Sequence, residues 1–208
     1  HKCLALVNEW KQIDPSAPAT STVEGGEKRQ DQIRLRDGYQ WDVLLRLAIN
    51  CSLGNKDCAE IEWSNLKLDA AIPHLDYPRT KVEHKTGFAI PRKIPLIKST
   101  LEAIERWLPF KNGSKMFLTS KGTPYNKGTI GARFGSIVKQ AETKGVWTFK
   151  HLRNVASSVG KIAKINKDER QAMLGHVSEG TNKHYEGEEI DESYLINSVE
   201  VVRTRYGL

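Results

Sequence analysis

Thr148-Phe149-Lys150-His151-Leu152-Arg153-Asn154 opens, and Met173-Leu174-Gly175-His176 followed by Tyr185 closes, the stretch whose reading decides this chain. Within residues 150–163 the apolar set Leu152, Val155, Ala156, Val159, Ile162 and Ala163 falls at i, i+3, i+4, i+7, i+10 and i+11. That spacing predicts one face of an α-helix. Lys150, Arg153 and Asn154 share a neighbouring face at i, i+3 and i+4, so a cationic pair stands on the first turn. The helix N-terminus adds partial positive charge at the same place. Such a corner suits an oxyanion, of which phosphate is the commonest.

Further along, Gly175 after Leu174 reads as a helix C-terminal stop with His176 just outside it. Tyr185 follows in a short polar segment, Thr181-Asn182-Lys183-His184-Tyr185. A cationic pocket, an imidazole and a phenol together can attack a phosphodiester without a metal. The phenol loses its proton as it attacks, and nearby cations lower the cost of that loss. Taken singly, each group has a plain packing role: a core tyrosine, a helix-capping histidine, an arginine in an ion pair at the core edge. Their order and spacing give them joint meaning.

These residues resemble the catalytic core of the tyrosine recombinases, the integrase family of phages and mobile elements. The box His-x-x-Arg has its counterpart in Lys150-x-x-Arg153, Leu-Gly-His in Leu174 to His176, and the family tyrosine in Tyr185, nine residues after His176. Upstream, Ala59-Glu60-Ile61-Glu62-Trp63-Ser64-Asn65-Leu66 is similar to the helix-to-strand passage after the family's first arginine. The likeness runs from about residue 40 to residue 190. It implies a mixed α+β, mainly helical catalytic-domain fold with a small antiparallel sheet at one edge.

The resemblance also implies roles. Tyr185 would attack phosphorus to form a 3′-phosphotyrosyl ester, and Arg153 would hold a non-bridging oxygen with two N–H donors. His176 would hydrogen-bond the same phosphate or assist proton transfer. A lysine on a β-turn would protonate the leaving 5′-oxygen. Lys85 matches the family's Lys-Thr-Gly wording, and Lys81 matches its distance from the preceding strand. Neither a metal nor a nucleotide cofactor is expected, since the ester conserves the bond energy. The scattered histidines His74, His84, His151, His176 and His184 form no tight ligand motif, which argues against a metal-dependent nuclease.

Two positions depart from the family pattern. Aligned through Asp57, the place of the first arginine is Gly54, and Lys150 stands where the box carries histidine. His151 is adjacent, but one residue along a helix turns a side chain by about 100°. Lys56 is near enough in sequence to offer a substitute charge, though as a point charge rather than a fork. One missing preorganised donor costs on the order of a hundredfold in rate. The chain is therefore read as a slower recombinase or as a recombinase fold that binds DNA without cutting it. The retained Lys85, Arg153, His176 and Tyr185 favour the first.

Length and charge fit this reading. With 208 residues and 38% hydrophobic content, one compact domain is the natural expectation, and a net charge of +7 suits a polyanionic partner. Double-stranded DNA is that partner, with Lys56, Arg79, Lys127, Arg133, Lys139 and His151 as candidate contacts. Cys3, Cys51 and Cys58 form no disulfide framework, and no apolar run is long enough for a bilayer, so a cytoplasmic, nucleoid-associated protein is expected. Starting at His1, the chain reads as a fragment whose residues 1–30 are the end of an upstream segment and a Pro/Gly-rich linker. The catalytic domain is expected over 31–190, with Leu66 to Tyr77 and Ile90 to Leu96 as strands. A helical tail then occupies 191–208, where Leu195, Val199, Val202 and Tyr206 recur at helical spacing. That apolar face either docks on a neighbouring subunit, giving self-association on DNA, or packs back on its own domain.

Overall fold

The structure, a computed structural model, describes residues 2–11, 26–79, 89–176 and 195–206. Its centre is α2 (Gly26–Asn50), whose Trp41, Leu44, Leu45 and Ala48 are all buried, as their helical spacing requires. Two amide side chains on α2 substitute for backbone partners at its surface. Gln40 exchanges hydrogen bonds with both the carbonyl and the N–H of Leu118, and Asn50 donates to the Pro95 carbonyl while accepting from the N–H of Ile97. They fix where the irregular backbone crosses the helix.

The first helix, α1 (Lys2–Lys11), packs along α2 and inserts Val7 into the core, while Lys11 pairs with buried Asp42 at 2.7 Å. The upstream segment is thus part of the main hydrophobic core, and the residues 26–30 expected in a linker are helical.

After α2 comes α3 (Asn55–Glu60), capped by Gly54 and by Asp57, whose carboxylate accepts the Gly54 N–H at 2.8 Å. A 3₁₀ turn, Trp63–Asn65, leads into a three-stranded antiparallel sheet ordered β1 (Leu66–Lys67), β2 (His74–Asp76), β3 (Lys93–Pro95). The register pairs Leu66 with Leu75 and Leu75 with Ile94, and a further bridge joins Arg79 to Ile90. Leu75 and Ile94 are buried, so one sheet face lies on the core. The expected strand from Leu66 to Tyr77 is in fact two, because Asp69 to Pro73 turn the chain back and Pro73 cannot continue a ladder. Pro95 sits on the edge strand, the position where a missing donor is tolerated.

Helices complete the chain: α4 (Lys98–Trp107), α5 (Lys127–Gln140), α6 (Phe149–Ile162), α7 (Lys167–Leu174) and α8 (Ile196–Tyr206). Phe134 of α5 meets Phe149 of α6 edge to face at 5.4 Å. The face of α8 bearing Val199 and Val202, with Leu195 just before it, is buried against α6, α2 and β3 of the same chain. Of the two dockings the sequence left open, the described one is intramolecular. No described helix is long and apolar enough to cross a membrane.

Candidate functional site: an arginine cluster around the Leu-Gly-His turn

Gly175 ends α7 in the left-handed conformation, φ +59°, and turns His176 out of the helix. The carbonyls exposed at such a terminus carry partial negative charge. Two arginines from different elements use them. Arg153 of α6 donates Nη2 to the Leu174 oxygen at 2.6 Å. Arg79, beyond β2, donates Nη1 to the same oxygen at 2.5 Å and to the Gly175 oxygen at 3.1 Å. The box helix and the Leu-Gly-His turn are therefore joined by direct hydrogen bonds.

A third guanidinium, Arg92, lies just before β3 with its side chain fully covered. Its Nε donates to the Tyr77 carbonyl at 3.1 Å, and its guanidinium lies 5.5 Å from the centre of the Tyr77 ring. Asp57 joins the cluster. One of its oxygens is 3.3 Å from Arg153 Nη1 and also receives the Gly54 N–H, while the other is 3.5 Å from Arg92 Nη2. Two guanidiniums thus flank one carboxylate, and Arg79 shares the Leu174 oxygen with Arg153, leaving an excess of positive charge under partial burial.

Electrostatics follow from that crowding. Burial, then Arg79, with Arg92 adding to it, push Arg153 down to about 10, against the opposing pull of Asp57. Burial and Arg92 push Arg79 down as well, again opposed by Asp57. Arg153 and Arg79 are thus each held charged at a cost that a nearby anion lowers, as Asp57 does.

His176 hydrogen-bonds Gln171 through Nδ1 at 3.0 Å, which fixes its ring beside the turn. Lys150 is exposed on the first turn of α6. His151, one position on, uses Nδ1 to accept the Thr148 N–H at 2.9 Å, completing the helix cap, and its ring meets Trp147 at 5.5 Å. Lys56, suggested as a stand-in for the first arginine, lies 3.7 Å from Glu60 along α3 instead. Arg133 reaches Asp37 at 3.3 Å, and Lys127 and Lys139 are exposed at opposite ends of α5. Tyr185, Lys81 and Lys85 lie outside the described residues. Sequence reasoning missed Arg92 altogether, and it gave Arg79 only a role at the DNA surface. The available signal was an arginine directly after Ile90-Pro91, inside the segment Ile90 to Leu96 expected as a strand.

Residues 31–189 match the sequence profile described as the Phage integrase family. No curated protein matches the chain. Among solved structures, XerA recombinase superposes with a TM-score of 0.55 at 14% identity, covering 92% of this chain and 67% of that one. The Tn1549 transposon integrase, in complex with circular intermediate DNA, gives 0.55 at 16% identity over 88% of this chain and 64% of its own. A lambda integrase dimer bound to a COC′ core site gives 0.51 at 20% identity, with 77% and 57% covered. The chain thus spans about two thirds of the length of the first two. All three share its mainly helical fold with a small antiparallel sheet.

Proposed function

Because the chain belongs to the phage integrase family, we propose that it is a site-specific recombinase that cuts and rejoins double-stranded DNA through a 3′-phosphotyrosyl intermediate. Tyr185 Oη gives its proton to His176 or to water as it bonds to phosphorus. The bond from phosphorus to the 5′-oxygen breaks, and that oxygen takes a proton from Lys85 or Lys81. Religation reverses these steps on a new strand. Arg153 holds a non-bridging oxygen as negative charge develops, and His176 hydrogen-bonds the same phosphate. Lys150 takes the position of the box histidine and contributes charge at the helix N-terminus. No metal or nucleotide takes part in these steps.

The observation that carries this reading is the junction at Leu174. Arg153 and the Leu-Gly-His turn, far apart in sequence, share a 2.6 Å hydrogen bond and bring a guanidinium beside an imidazole-bearing turn. The exposed cations Lys127, Lys139 and Lys56, together with Arg133 and His151, are assigned to the DNA backbone. Self-association on DNA accords with the dimeric lambda integrase complex. A soluble, DNA-associated location follows from the same activity.

Gly54, in the place of the first arginine, favours a second reading: a recombinase fold that binds DNA and assembles on it without cleaving. A suicide substrate nicked beside the cleavage position separates the two. The recombinase reading expects a denaturation-resistant protein–DNA adduct that Tyr185→Phe abolishes. DNA binding without any adduct refutes it and leaves the second.

A further inference from the structure

Arg79 is expected from the sequence to meet the DNA backbone, and the structure buries it instead. Its root is fixed, because the Arg79 N–H donates to the Ile90 carbonyl at 2.7 Å and its own carbonyl accepts the Ile90 N–H at 3.1 Å. Its tip is fixed as well, with Nη1 on the oxygens of Leu174 and Gly175. Between the two ends the side chain lies flat across Gly175. A Cβ added to that glycine would stand 3.2 Å from Arg79 Cβ and 3.0 Å from its Cδ. A side chain held at both ends and along its length is a strut, not a surface cation free to meet a phosphate.

The two carbonyls it takes have different neighbours. The Leu174 oxygen is among the last acceptors of α7, which the helix leaves without an internal donor, and Arg153 Nη2 shares it. The Gly175 oxygen belongs to the peptide bond that leads into His176. His176 is tied back to α7 by its N–H on the Gln171 carbonyl at 2.9 Å and by Nδ1 on the Gln171 side chain at 3.0 Å. Those bonds fix the imidazole relative to α7. Arg79 in turn fixes the end of α7 to the sheet, at the oxygen where Arg153 also arrives.

We propose that Arg79 is a positioning residue: by gripping the Leu174 and Gly175 carbonyls it holds the Leu-Gly-His turn so that the His176 imidazole keeps its place relative to the Arg153 guanidinium. The proposal rests on the recombinase reading, in which those two groups meet one phosphate. Arg79 itself touches neither DNA nor the reacting atoms. Its grip matters because a displacement of about 1 Å in a group that meets the reacting phosphate costs on the order of a hundredfold in rate.

Arg79→Met removes the grip. On the suicide substrate it should slow adduct formation roughly 10–100-fold. The slope of log Kobs for DNA against log salt should stay at the parent's value, because no phosphate contact is lost. A slope shallower by about one unit assigns Arg79 to a phosphate and overturns the proposal. A double-mutant cycle tests the route. Added to His176→Ala, Arg79→Met should cost less than about threefold further, whereas a second loss of about tenfold or more means that it acts apart from His176 and overturns the proposal. Arg79→Lys keeps the charge without the fork and covers the case in which Arg79→Met does not fold. It should also be slowed, and a parental adduct rate in it would show that charge alone suffices and refute the grip. Amide exchange reads the same hold without cleavage. In the folded variants the N–H groups of Gly175 and His176, bonded to the Ala172 and Gln171 carbonyls, should exchange at least about tenfold faster while those of Trp41 to Ala48 in α2 stay as in the parent. Unchanged exchange at the turn overturns the proposal. Should the parent give no adduct while the exchange result holds, the recombinase reading fails and the hold of Arg79 on the turn stands.

Discussion

Gly175→Ala is the substitution whose cost is best specified by the structure. The residue holds φ +59°, a conformation that costs an L-residue with a Cβ roughly 1–2 kcal/mol. Its Cβ would also stand 2.9 Å from Arg92 Cδ, 3.0 Å from Arg79 Cδ and 3.2 Å from Arg79 Cβ. Those atoms belong to the middle of two buried side chains, each tied down at its guanidinium, so neither can swing aside freely. Crowding of this kind costs about 1–3 kcal/mol. The two effects together predict a loss of about 2–5 kcal/mol, equivalent to a fall in Tm of roughly 4–20 °C for a chain of this size. Urea unfolding of the purified protein measures it directly. Gly175→Asn separates the parts, because Asn tolerates the left-handed conformation but keeps the Cβ, so it should remain about 1 kcal/mol or more below the parent. Gly135→Ala serves as the opposite control. It lies inside α5 with nothing within 4 Å of the added Cβ and should gain about 0.4–1 kcal/mol. A Gly175→Ala protein within about 0.5 kcal/mol of the parent would refute the close packing of both arginines on this turn.

Other features yield further tests. Asn50→Leu removes two hydrogen bonds and leaves the Pro95 carbonyl and the Ile97 N–H without partners beneath α2, which should cost about 2–5 kcal/mol in urea unfolding. A loss under about 1 kcal/mol would mean that the joint between α2 and the sheet does not depend on this amide. Burial raises the thiols of Cys51 and Cys58, the latter helped by Asp57, so the reactive thiolate is suppressed in the native state well above neutral pH. A disulfide reagent at pH 8 should label at most Cys3 in the folded chain and all three cysteines in urea. Rapid native labelling of Cys58, beside the arginine cluster, would contradict the burial of that region.

Helix periodicity made α6 and α8 legible in the sequence, because Leu152, Val155 and Val159 on the one and Val199 and Val202 on the other face inward and the 3.6-residue repeat records it. The Leu174-Gly175-His176 turn was equally readable, since a glycine after an apolar helix end has one common use. The sheet was less so: short strands with a turn at Asp69 to Pro73 carry too few alternations to separate one strand from two. The surroundings of Gly54 were beyond reach for a different reason. Reading outward along the chain from Gly54 leads to Lys56, two residues away, and α3 carries that side chain toward Glu60. The nearest guanidiniums in space come from the box helix and from the hairpin, and Asp57 is what gathers them, with one oxygen for Arg153 and the other for Arg92. What surrounds a position is set by whatever the fold brings within a few ångströms, so a departure from a family pattern has to be weighed with its neighbours in three dimensions. Here those neighbours are two guanidiniums held by Asp57, the residue whose carboxylate also caps Gly54.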